Sequence, residues 1–130
     1  MASNDKILAA CAGAVGAEHA IAGDSAAAAP YRHRLGGHPV AIARPAGIEA
    51  LAALVKAVRD TGATLWTTPN AAGNGASLPA AAGPVVVADL GRMNKVLEVN
   101  EAAAYCLVEP GVTYADLAAH LREHAPGLRV

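Results

Sequence analysis

The chain has no phenylalanine, and aromatic residues make up only 3% of its 130 residues. Hydrophobic residues reach 54%, but many of them are alanine, so few large side chains are present to fill a core. A chain of this length is still long enough to bury one core. We therefore expect alanine-rich helices that pack closely against a sheet.

Charge is also scarce. Charged residues account for 16% of the sequence, and the formal net charge is -1 at pH 7. This balance argues against a broad nucleic-acid surface and against binding to anionic membranes. No apolar run is long enough to span a membrane, and no signal-peptide pattern follows Met1. We expect a cytoplasmic protein with no nucleic-acid or membrane partner.

Metal-binding patterns are missing as well. Cys11 and Cys106 are the only cysteines, and their spacing is not that of metal ligands. Among the five histidines, only His120 and His124 share a spacing that places two side chains on one helix face. No third ligand and no HExxH pattern accompanies them. We predict a solvated pair favoured by the dipole at a helix C-terminus, and no metal site.

The patterns that are present predict the fold class α+β (α/β). Apolar and β-branched runs indicate strands over residues 39–45, 64–68 and 85–88, and helical periodicity indicates a helix over 47–61. A strand, a helix and a second strand joined by short links form a βαβ unit with parallel strands. A weaker helix is expected over residues 4–15.

Apolar residues of the helix over 47–61 recur at helical spacing: Ile48, Leu51, Val55 and Val58, with Leu54 beside them. We predict that the main core consists of Leu51, Val55, Val58, Val86 and Leu107.

The last third of the chain predicts a β-hairpin and a helix. Residues 95–100 and 105–109 read as two strands joined by a short loop. Pro110-Gly111 ends the second strand. Thr113 then stands at the N-cap position of a helix, with Asp116 three residues later in a variant of the capping box.

Two early segments have no regular pattern. Residues 17–30 are rich in alanine and are predicted to be an irregular surface segment. Residues 31–38, which begin Tyr-Arg-His-Arg, are the most basic stretch of the chain. The simpler interpretation is a solvated loop, and the alternative is that one of these side chains reaches a bound anion or ring.

A loop of small residues lies between the strands over 64–68 and 85–88. Gly73 and Gly75 let a ligand approach the backbone closely, and successive amides in such a loop can bind an anion. The loop has no lysine or arginine, so an anion would be held by amides and by side chains such as Asn74 and Ser77. Neither GxxxxGK[ST] nor GxGxxG is present. The loop alone therefore leaves two interpretations, a connection or a ligand site.

Residues 93–117 read MNKVLEVNEAAAYCLVEPGVTYADL. This segment closely resembles the flavoprotein family of vanillyl-alcohol oxidase, eugenol oxidase and 4-cresol dehydrogenase. These proteins share the FAD-binding fold named for p-cresol methylhydroxylase (PCMH). The Met93-Asn94 pair and the Glu-Pro-Gly-Val-Thr block at 109–113 are specific in combination. The similarity extends back to the helix after Pro45 and becomes vague before Pro39.

By this resemblance, the glycine loop is the flavin pyrophosphate loop. The implied FAD-binding residues are Pro69, Asn70, Ala71, Ala72, Gly73, Asn74, Gly75, Ala76 and Ser77. The family usually carries an arginine shortly before its Gly-x-Gly and often an aromatic residue between the glycines, and this chain has neither. These departures predict either a weaker flavin affinity or a loop that is built differently.

The resemblance also implies an incomplete protein, because family members are far longer. Residues 1–38 would be an N-terminal helix and irregular segment, and residues 39–130 the N-terminal part of an FAD-binding PCMH-type domain. The cap domain and the catalytic residues would lie beyond the chain, so we predict no catalytic residue within it. Its partners would be FAD and the missing C-terminal part of the same enzyme.

The residue patterns and the resemblance leave two possible functions for this chain. The first is the FAD-binding portion of a flavin-dependent oxidoreductase that acts on a phenolic or hydroxy-acid substrate in its full-length form. The second is a truncated, non-catalytic α/β interaction or remnant domain that binds no flavin. The isolated chain is expected to bind FAD weakly or not at all.

Overall fold

The computed structural model describes residues 2–70 and 77–130. Its helices are α1 Asn4–Val15, α2 Ala29–Leu35, α3 Ile48–Thr61 and α4 Tyr114–His124, with 3-10 turns at Ala17–His19 and Ala26–Ala28. Its strands are β1 Ala20–Ala22, β2 Ala41–Ala43, β3 Thr64–Thr68, β4 Val85–Asp89, β5 Val96–Asn100 and β6 Tyr105–Val108. Within the described ranges, no helix has both the length and the apolar character needed to cross a bilayer.

Strands β1 to β4 form one sheet in the order β1-β2-β4-β3. Strands β2 and β3 both run parallel to β4, whereas β1 is antiparallel to β2. The valine run that begins β4 is buried throughout, as expected for a central strand covered on both faces. The predicted βαβ unit is confirmed, with β4 inserted between its two strands.

Alternate residues of β2 and β4 face opposite sides of this sheet. Ala41, Ala43, Val86 and Ala88 pack against α1 and α3 through Ile7, Cys11, Val15, Leu54 and Val58. Ile42 and Val87 pack on the other side against Ala28, Tyr31 and Leu35 of the α2 region. Alanine on the first side lets two helices approach the strands closely, which compensates for the scarcity of large apolar side chains.

Strands β5 and β6 form a separate antiparallel hairpin, as predicted. Its inner face packs against Leu117 and Leu121 of α4 and against Ala125, which follows the helix; the inner-face residues are Val96, Val99, Cys106 and Val108. The outer face carries Leu97, Tyr105 and Leu107, which are exposed. The hairpin and α4 therefore form a second small layer that follows the main sheet.

The predicted core was partly wrong. Val58 and Val86 are buried, but Val55 is 48% exposed and Leu107 is 53% exposed. Leu51 is half-buried, and Leu54 is the residue of α3 that is fully enclosed. A shift of one residue turns a helical side chain by roughly 100° around the helix axis. The apolar stripe predicted from the sequence therefore does not coincide with the face of α3 that meets the sheet. Leu107 lies outside because its neighbours on β6 take the inner face.

The two early segments were also misjudged. Residues 17–30 contain β1, which pairs with β2, and the start of α2. The basic stretch is mostly helix α2 rather than a solvated loop, and Tyr31 and Leu35 are buried. Pro30 lies in the first turn of α2 and Gly36 ends it with φ of 62°. Alanine runs hid these elements because small side chains on every face leave no periodicity to detect.

Candidate functional site

A cleft of about 430 Å³ lies at the edge of the main sheet where β2, β3 and β4 end. Its lining residues are Arg44, Asn70, Asp89, Gly91, Asn94, Gly111, Thr113 and Asp116. Arg44 follows β2, Asn70 follows β3, and Asp89 ends β4. The carboxyl ends of parallel strands meet at one edge, which is where open α/β sheets bind ligands. The volume is within the usual range for small-molecule sites, about 300–1,000 Å³.

A smaller cleft of about 260 Å³ lies between the start of α1 and two segments, the residues that follow β1 and the residues that precede β2. Its ionisable side chains, Asp5, Asp24 and His38, are all exposed. The edge cleft differs because it contains a buried carboxylate, that of Asp89, and a buried donor atom, Arg44 Nε. We therefore assign the candidate site to the edge cleft.

Asp89 is the buried carboxylate of the edge cleft, with 1% of its surface exposed. Its Oδ1 accepts a hydrogen bond of 2.8 Å from the Gly91 amide. Its Oδ2 accepts a hydrogen bond from the Tyr31 hydroxyl at 2.5 Å and lies 3.5 Å from Arg44 Nε. A buried carboxylate without such partners would cost several kcal/mol, so this set of contacts is what allows a charge at the end of β4.

Tyr31 donates to Asp89 from α2, on the opposite side of the sheet from α3. Burial, and then the hydrogen bond to the Asp89 carboxylate, raise the pKa of the Tyr31 hydroxyl above its usual value. Both effects disfavour a phenolate in this position. The hydroxyl therefore stays protonated and acts as a hydrogen-bond donor throughout the neutral pH range.

Arg44 brings the positive charge to the cleft. Its backbone is held on both sides, since its amide donates to the His19 carbonyl at 2.9 Å and its carbonyl accepts from Arg92 Nη1 at 2.7 Å. Its side chain is 39% exposed, but Nε is buried and makes no hydrogen bond within the described part of the chain. A buried donor without an acceptor is uncommon in folded proteins. Because Nε is buried, a ligand in the cleft would meet the exposed part of the Arg44 side chain.

Two glycines, Gly91 and Gly111, line part of the cleft with backbone atoms alone. A Cβ on Gly111 would lie 2.4 Å from the Leu90 carbonyl oxygen and 2.8 Å from that of Met93. The Gly111 amide donates to the same Met93 carbonyl at 2.8 Å. A Cβ on Gly91 would lie 3.0 Å from Asp89 Oδ1. The Glu-Pro-Gly-Val-Thr block and the Met-Asn pair are thus in direct contact, and only glycine fits between them.

Helix α4 begins at the rim of the cleft. Thr113 Oγ1 accepts from the Asp116 amide at 3.1 Å, and Asp116 Oδ2 accepts from the Thr113 amide at 3.0 Å. The predicted capping box is confirmed. It directs the N-terminal end of an 11-residue helix, where partial positive charge accumulates, toward the cleft.

Thr113→Ala is expected to lower the free energy of unfolding by about 1 kcal/mol at pH 7, because α4 loses its N-cap. The side-chain and backbone hydrogen bonds from Thr113 hold the pKa of Asp116 below 3.8. A carboxyl with a lowered folded-state pKa stabilises the fold above its unfolded-state pKa, and that contribution is lost as the pH falls through the folded-state value. Urea denaturation should therefore show a smaller difference between wild type and Thr113→Ala at pH 3 than at pH 7.

The matched control is Ser3→Ala at the N-cap of α1. Ser3 accepts a hydrogen bond from the Lys6 amide, and its cap includes no carboxylate partner. Its effect on stability should not change between the two pH values. An equal pH dependence for both caps would contradict the role given to Asp116.

Of the predicted FAD-binding residues, the structure describes Pro69, Asn70 and Ser77. Asn70 lines the cleft, and its carbonyl accepts from Thr68 Oγ1 at 2.9 Å. Ser77 precedes Leu78, whose amide donates to the Leu35 carbonyl at 2.9 Å. Residues 71–76, which include Gly73, Asn74 and Gly75, lie outside the described residues. The role of this loop in binding pyrophosphate therefore stays a prediction, and the structure adds only that the loop leaves from the cleft.

His120 and His124 lie on α4, away from this cleft. Their rings stack with centroids 4.3 Å apart and planes inclined by 9°. Across residues 2–70 and 77–130, no three His, Cys, Asp or Glu side chains are grouped to hold a metal ion.

Sequence reasoning missed Tyr31, Arg44 and Asp89. A signal for Arg44 and Asp89 was present, since each stands at the carboxyl end of a predicted parallel strand, where ligand sites form. Tyr31 carried a weaker signal. Its spacing of four residues from Leu35 puts two large apolar side chains on one helix face, but the basic residues between them dominate the pattern.

Several known proteins are similar to this chain in sequence. The family described as FAD binding domain matches residues 39–129. A 1'-carboxy-chondrochloren decarboxylase from Chondromyces crocatus is 33% identical over 132 residues, which cover 95% of this chain and 24% of that protein. The flavoprotein subunit of 4-cresol dehydrogenase (hydroxylating) from Pseudomonas putida is 31% identical over 88 residues, covering 66% of this chain and 17% of that subunit.

Known proteins also share this fold. The 4-ethylphenol oxidase of Gulosibacter chungangensis, solved as an isoeugenol complex, superposes with a TM-score of 0.75 and 30% identity, covering 92% of this chain and 24% of the oxidase. The chain thus spans about a quarter or less of the length of these relatives.

Proposed function

The chain belongs to the FAD binding domain family, and from this membership we propose that it binds FAD in the cleft at the carboxyl ends of β2, β3 and β4. It is the FAD-binding part of a flavin-linked oxidoreductase related to 4-cresol dehydrogenase. For the whole protein we propose a phenolic or hydroxy-acid substrate. The bound flavin supplies the redox chemistry by accepting a hydride, and the residues of this chain bind and orient it.

The residues of the cleft fit an anionic dinucleotide. The observation that carries the proposal is the Arg44 side chain, which is 39% exposed and brings a positive charge to a cleft of suitable size. A phosphate oxygen is a strong acceptor for a guanidinium group. Gly91 and Gly111 line the cleft with backbone atoms, and the turn after β4 packs against Gly111 where a side chain would otherwise lie. The N-terminal end of α4 adds favourable partial charge for an anion.

Two carboxylates also line the cleft, and both are already occupied. Asp89 accepts hydrogen bonds from Tyr31 and Gly91, and Asp116 is held in the capping box of α4. Their charge is offset by these donors and, for Asp89, by the Arg44 guanidinium. We therefore assign phosphate binding to Arg44, to backbone amides and to the loop that begins at Asn70.

The domain boundary at residue 39 also belongs to this proposal. The family match begins there. Strand β1 and helix α2, which precede it, nevertheless complete the sheet and cover one of its faces. We propose that residues 1–38 are an N-terminal extension that packs onto the FAD-binding domain.

The test is titration of the ¹⁵N-labelled chain with FAD, followed by NMR. We expect weak binding, with shifts concentrated at the amides of Asn70, Gly91 and Gly111. Weak affinity follows from the missing sequence, which in the longer relatives would supply the contacts to the isoalloxazine ring. No turnover is expected in a dye-reduction assay with phenolic or hydroxy-acid substrates. Millimolar FAD that shifts none of the cleft amides would overturn the proposal.

The loop is tested by Gly75→Val. A branched side chain at the proposed point of closest approach should weaken FAD binding more than tenfold, or by about 1.4 kcal/mol or more. The control is Gly127→Val, because a Cβ at Gly127 would meet no atom within 4 Å. Equal FAD affinity in the two variants would show that residues 69–77 do not form the pyrophosphate loop.

The second candidate function is an interaction domain without flavin. The exposed outer face of the hairpin, with Leu97 and Leu107 more than half exposed, favours it. This alternative predicts a colourless protein whose spectrum does not change when FAD is added, and the same titration therefore decides between the two functions.

A further inference from the structure

Helix α2, which precedes the residues matched by the family model, contacts one residue of the edge cleft and also the segment that follows the predicted pyrophosphate loop. Tyr31 near its start donates to Asp89 at the end of β4. The Leu35 carbonyl at its end accepts from the Leu78 amide, just beyond the predicted pyrophosphate loop. An element that precedes residue 39 therefore contacts the end of β4 at this edge.

The hydrogen bond from Tyr31 to Asp89 involves the same carboxylate oxygen that faces Arg44. Oδ1 is held by the Gly91 amide, and Oδ2 is shared between the Tyr31 hydroxyl at 2.5 Å and Arg44 Nε at 3.5 Å. The longer distance is an ion pair without a hydrogen bond, because Arg44 Nε has no hydrogen-bond partner among the described residues. Of these two groups, only the Tyr31 hydroxyl makes a hydrogen bond to Oδ2.

The backbone of Arg44 is fixed independently by His19 and Arg92. The position of the guanidinium group therefore depends on the side-chain torsions of Arg44, and the carboxylate that pairs with this group is that of Asp89. The outer torsion of an aspartate is soft and roughly two-fold. If the tyrosine hydroxyl were removed, Oδ1 would keep its hydrogen bond from the Gly91 amide, but Oδ2 would become a buried oxygen without a hydrogen-bond donor. A small rotation about this torsion would then draw Arg44 Nε into a full hydrogen bond to Oδ2.

We propose that Tyr31 is a positioning residue for the cofactor. By occupying Asp89 Oδ2, it stops the Arg44 guanidinium from closing onto that carboxylate and leaves it available to the phosphates of FAD. This inference rests on the proposed function, since it assigns the phosphate contact to Arg44. It also gives residues 1–38 a role in the site, because a side chain of α2 then determines the position of the Arg44 guanidinium group, which follows β2.

The first experiment needs no cofactor. The Arg44 side-chain Nε–H signal is assigned in the ¹⁵N spectrum with Arg44→Lys and is then compared between wild type and Tyr31→Phe. We expect Tyr31→Phe to shift this signal and slow its exchange with water, since Nε gains a hydrogen bond to Asp89. An Arg44 signal that does not move would overturn the proposal.

The second experiment measures FAD affinity by the same NMR titration. Tyr31→Phe should weaken binding by about threefold to tenfold, the usual worth of one hydrogen bond. In the Arg44→Lys background, the same change should have little further effect, because residues that act through one contact are not additive. A merely structural role would give the same fold-change in both backgrounds and would overturn the proposal.

The control is Tyr105→Phe. The Tyr105 hydroxyl also donates to a carboxylate, Glu98 Oε1 at 2.6 Å, but this pair is exposed on the hairpin away from the cleft. It should change neither the Arg44 signal nor FAD affinity. If Tyr31→Phe does not fold, Asp89→Asn tests the pairing of Asp89 with Arg44 on which the proposal depends: loss of the charge should speed the exchange of the Arg44 Nε–H with water. Unchanged exchange in Asp89→Asn would overturn the proposal.

The proposed function and the positioning role fail in different ways. If FAD shifts no cleft amide in the wild-type chain, the proposed function fails, and the role of Tyr31 toward the cofactor falls with it. If wild type binds FAD and Tyr31→Phe binds equally well, only the positioning role is overturned.

Discussion

Leu54→Ala is expected to lower the free energy of unfolding by about 2–5 kcal/mol, the range for removing most of a buried leucine side chain. Leu54 is fully buried in the cluster that joins α1, α3 and the main sheet. Ala41, Ala43 and Ala88 form part of the same cluster and are too small to fill the space. We therefore expect the upper half of that range. Urea denaturation followed by circular dichroism measures it.

Val55→Ala is the matched control on the same helix. Val55 is 48% exposed, so its truncation removes little packing. Alanine also has the higher helix propensity, which offsets part of what is lost. The change in stability should stay within about 0.5 kcal/mol. If Val55→Ala were the more damaging of the two, α3 would face the sheet with the stripe first expected from the sequence.

Gly111→Ala is expected to cost about 2–4 kcal/mol, which combines overpacking with the loss of a hydrogen bond. The new Cβ would lie 2.4 Å from the Leu90 carbonyl oxygen, 2.8 Å from that of Met93 and 3.0 Å from Gly91 Cα. All three are backbone atoms, so no side chain can rotate to relieve the clash. The segment must move away from the turn after β4, and the hydrogen bond from the Gly111 amide to Met93 is lost.

Gly127→Ala is the control, because a Cβ there would meet no atom within 4 Å. It should change stability by less than about 0.5 kcal/mol. Because Gly111 also forms the floor of the cleft, Gly111→Ala should weaken FAD binding under conditions where the variant is still folded. Equal stability of the two alanine variants would show that residue 111 does not pack against the turn after β4.

Residues 2–38 give this chain much of its core. Helix α1 supplies Ile7, Cys11 and Val15 to one side of the sheet, and the α2 region supplies Ala28, Tyr31 and Leu35 to the other. A largely parallel sheet needs cover on both faces. Residues 2–38 therefore provide cover that α3 alone cannot supply.

The sequence by itself determined the elements whose signals are local. The spacing along residues 47–61 predicted α3, the alternation around residue 100 predicted the hairpin, and the Thr113-Asp116 pair predicted the cap of α4. Each depends on residues within a few positions of one another, which helix, strand and cap geometry relate directly. The Glu-Pro-Gly-Val-Thr block likewise pointed to the FAD-binding family that the comparison identifies.

Only the tertiary structure decided the contacts between residues far apart in the chain. Tyr31 and Asp89 are separated by 58 positions, and no periodicity connects them. The choice of Leu54 over Val55 as the buried residue depends on which side of α3 meets the sheet, and hydrophobic spacing alone resolves that only to within one residue. The cleft exists because β2 and β4 run parallel and end at one edge, bringing Arg44 to Asp89. Local chemistry specifies the elements, and packing places the charged side chains of one element against those of another.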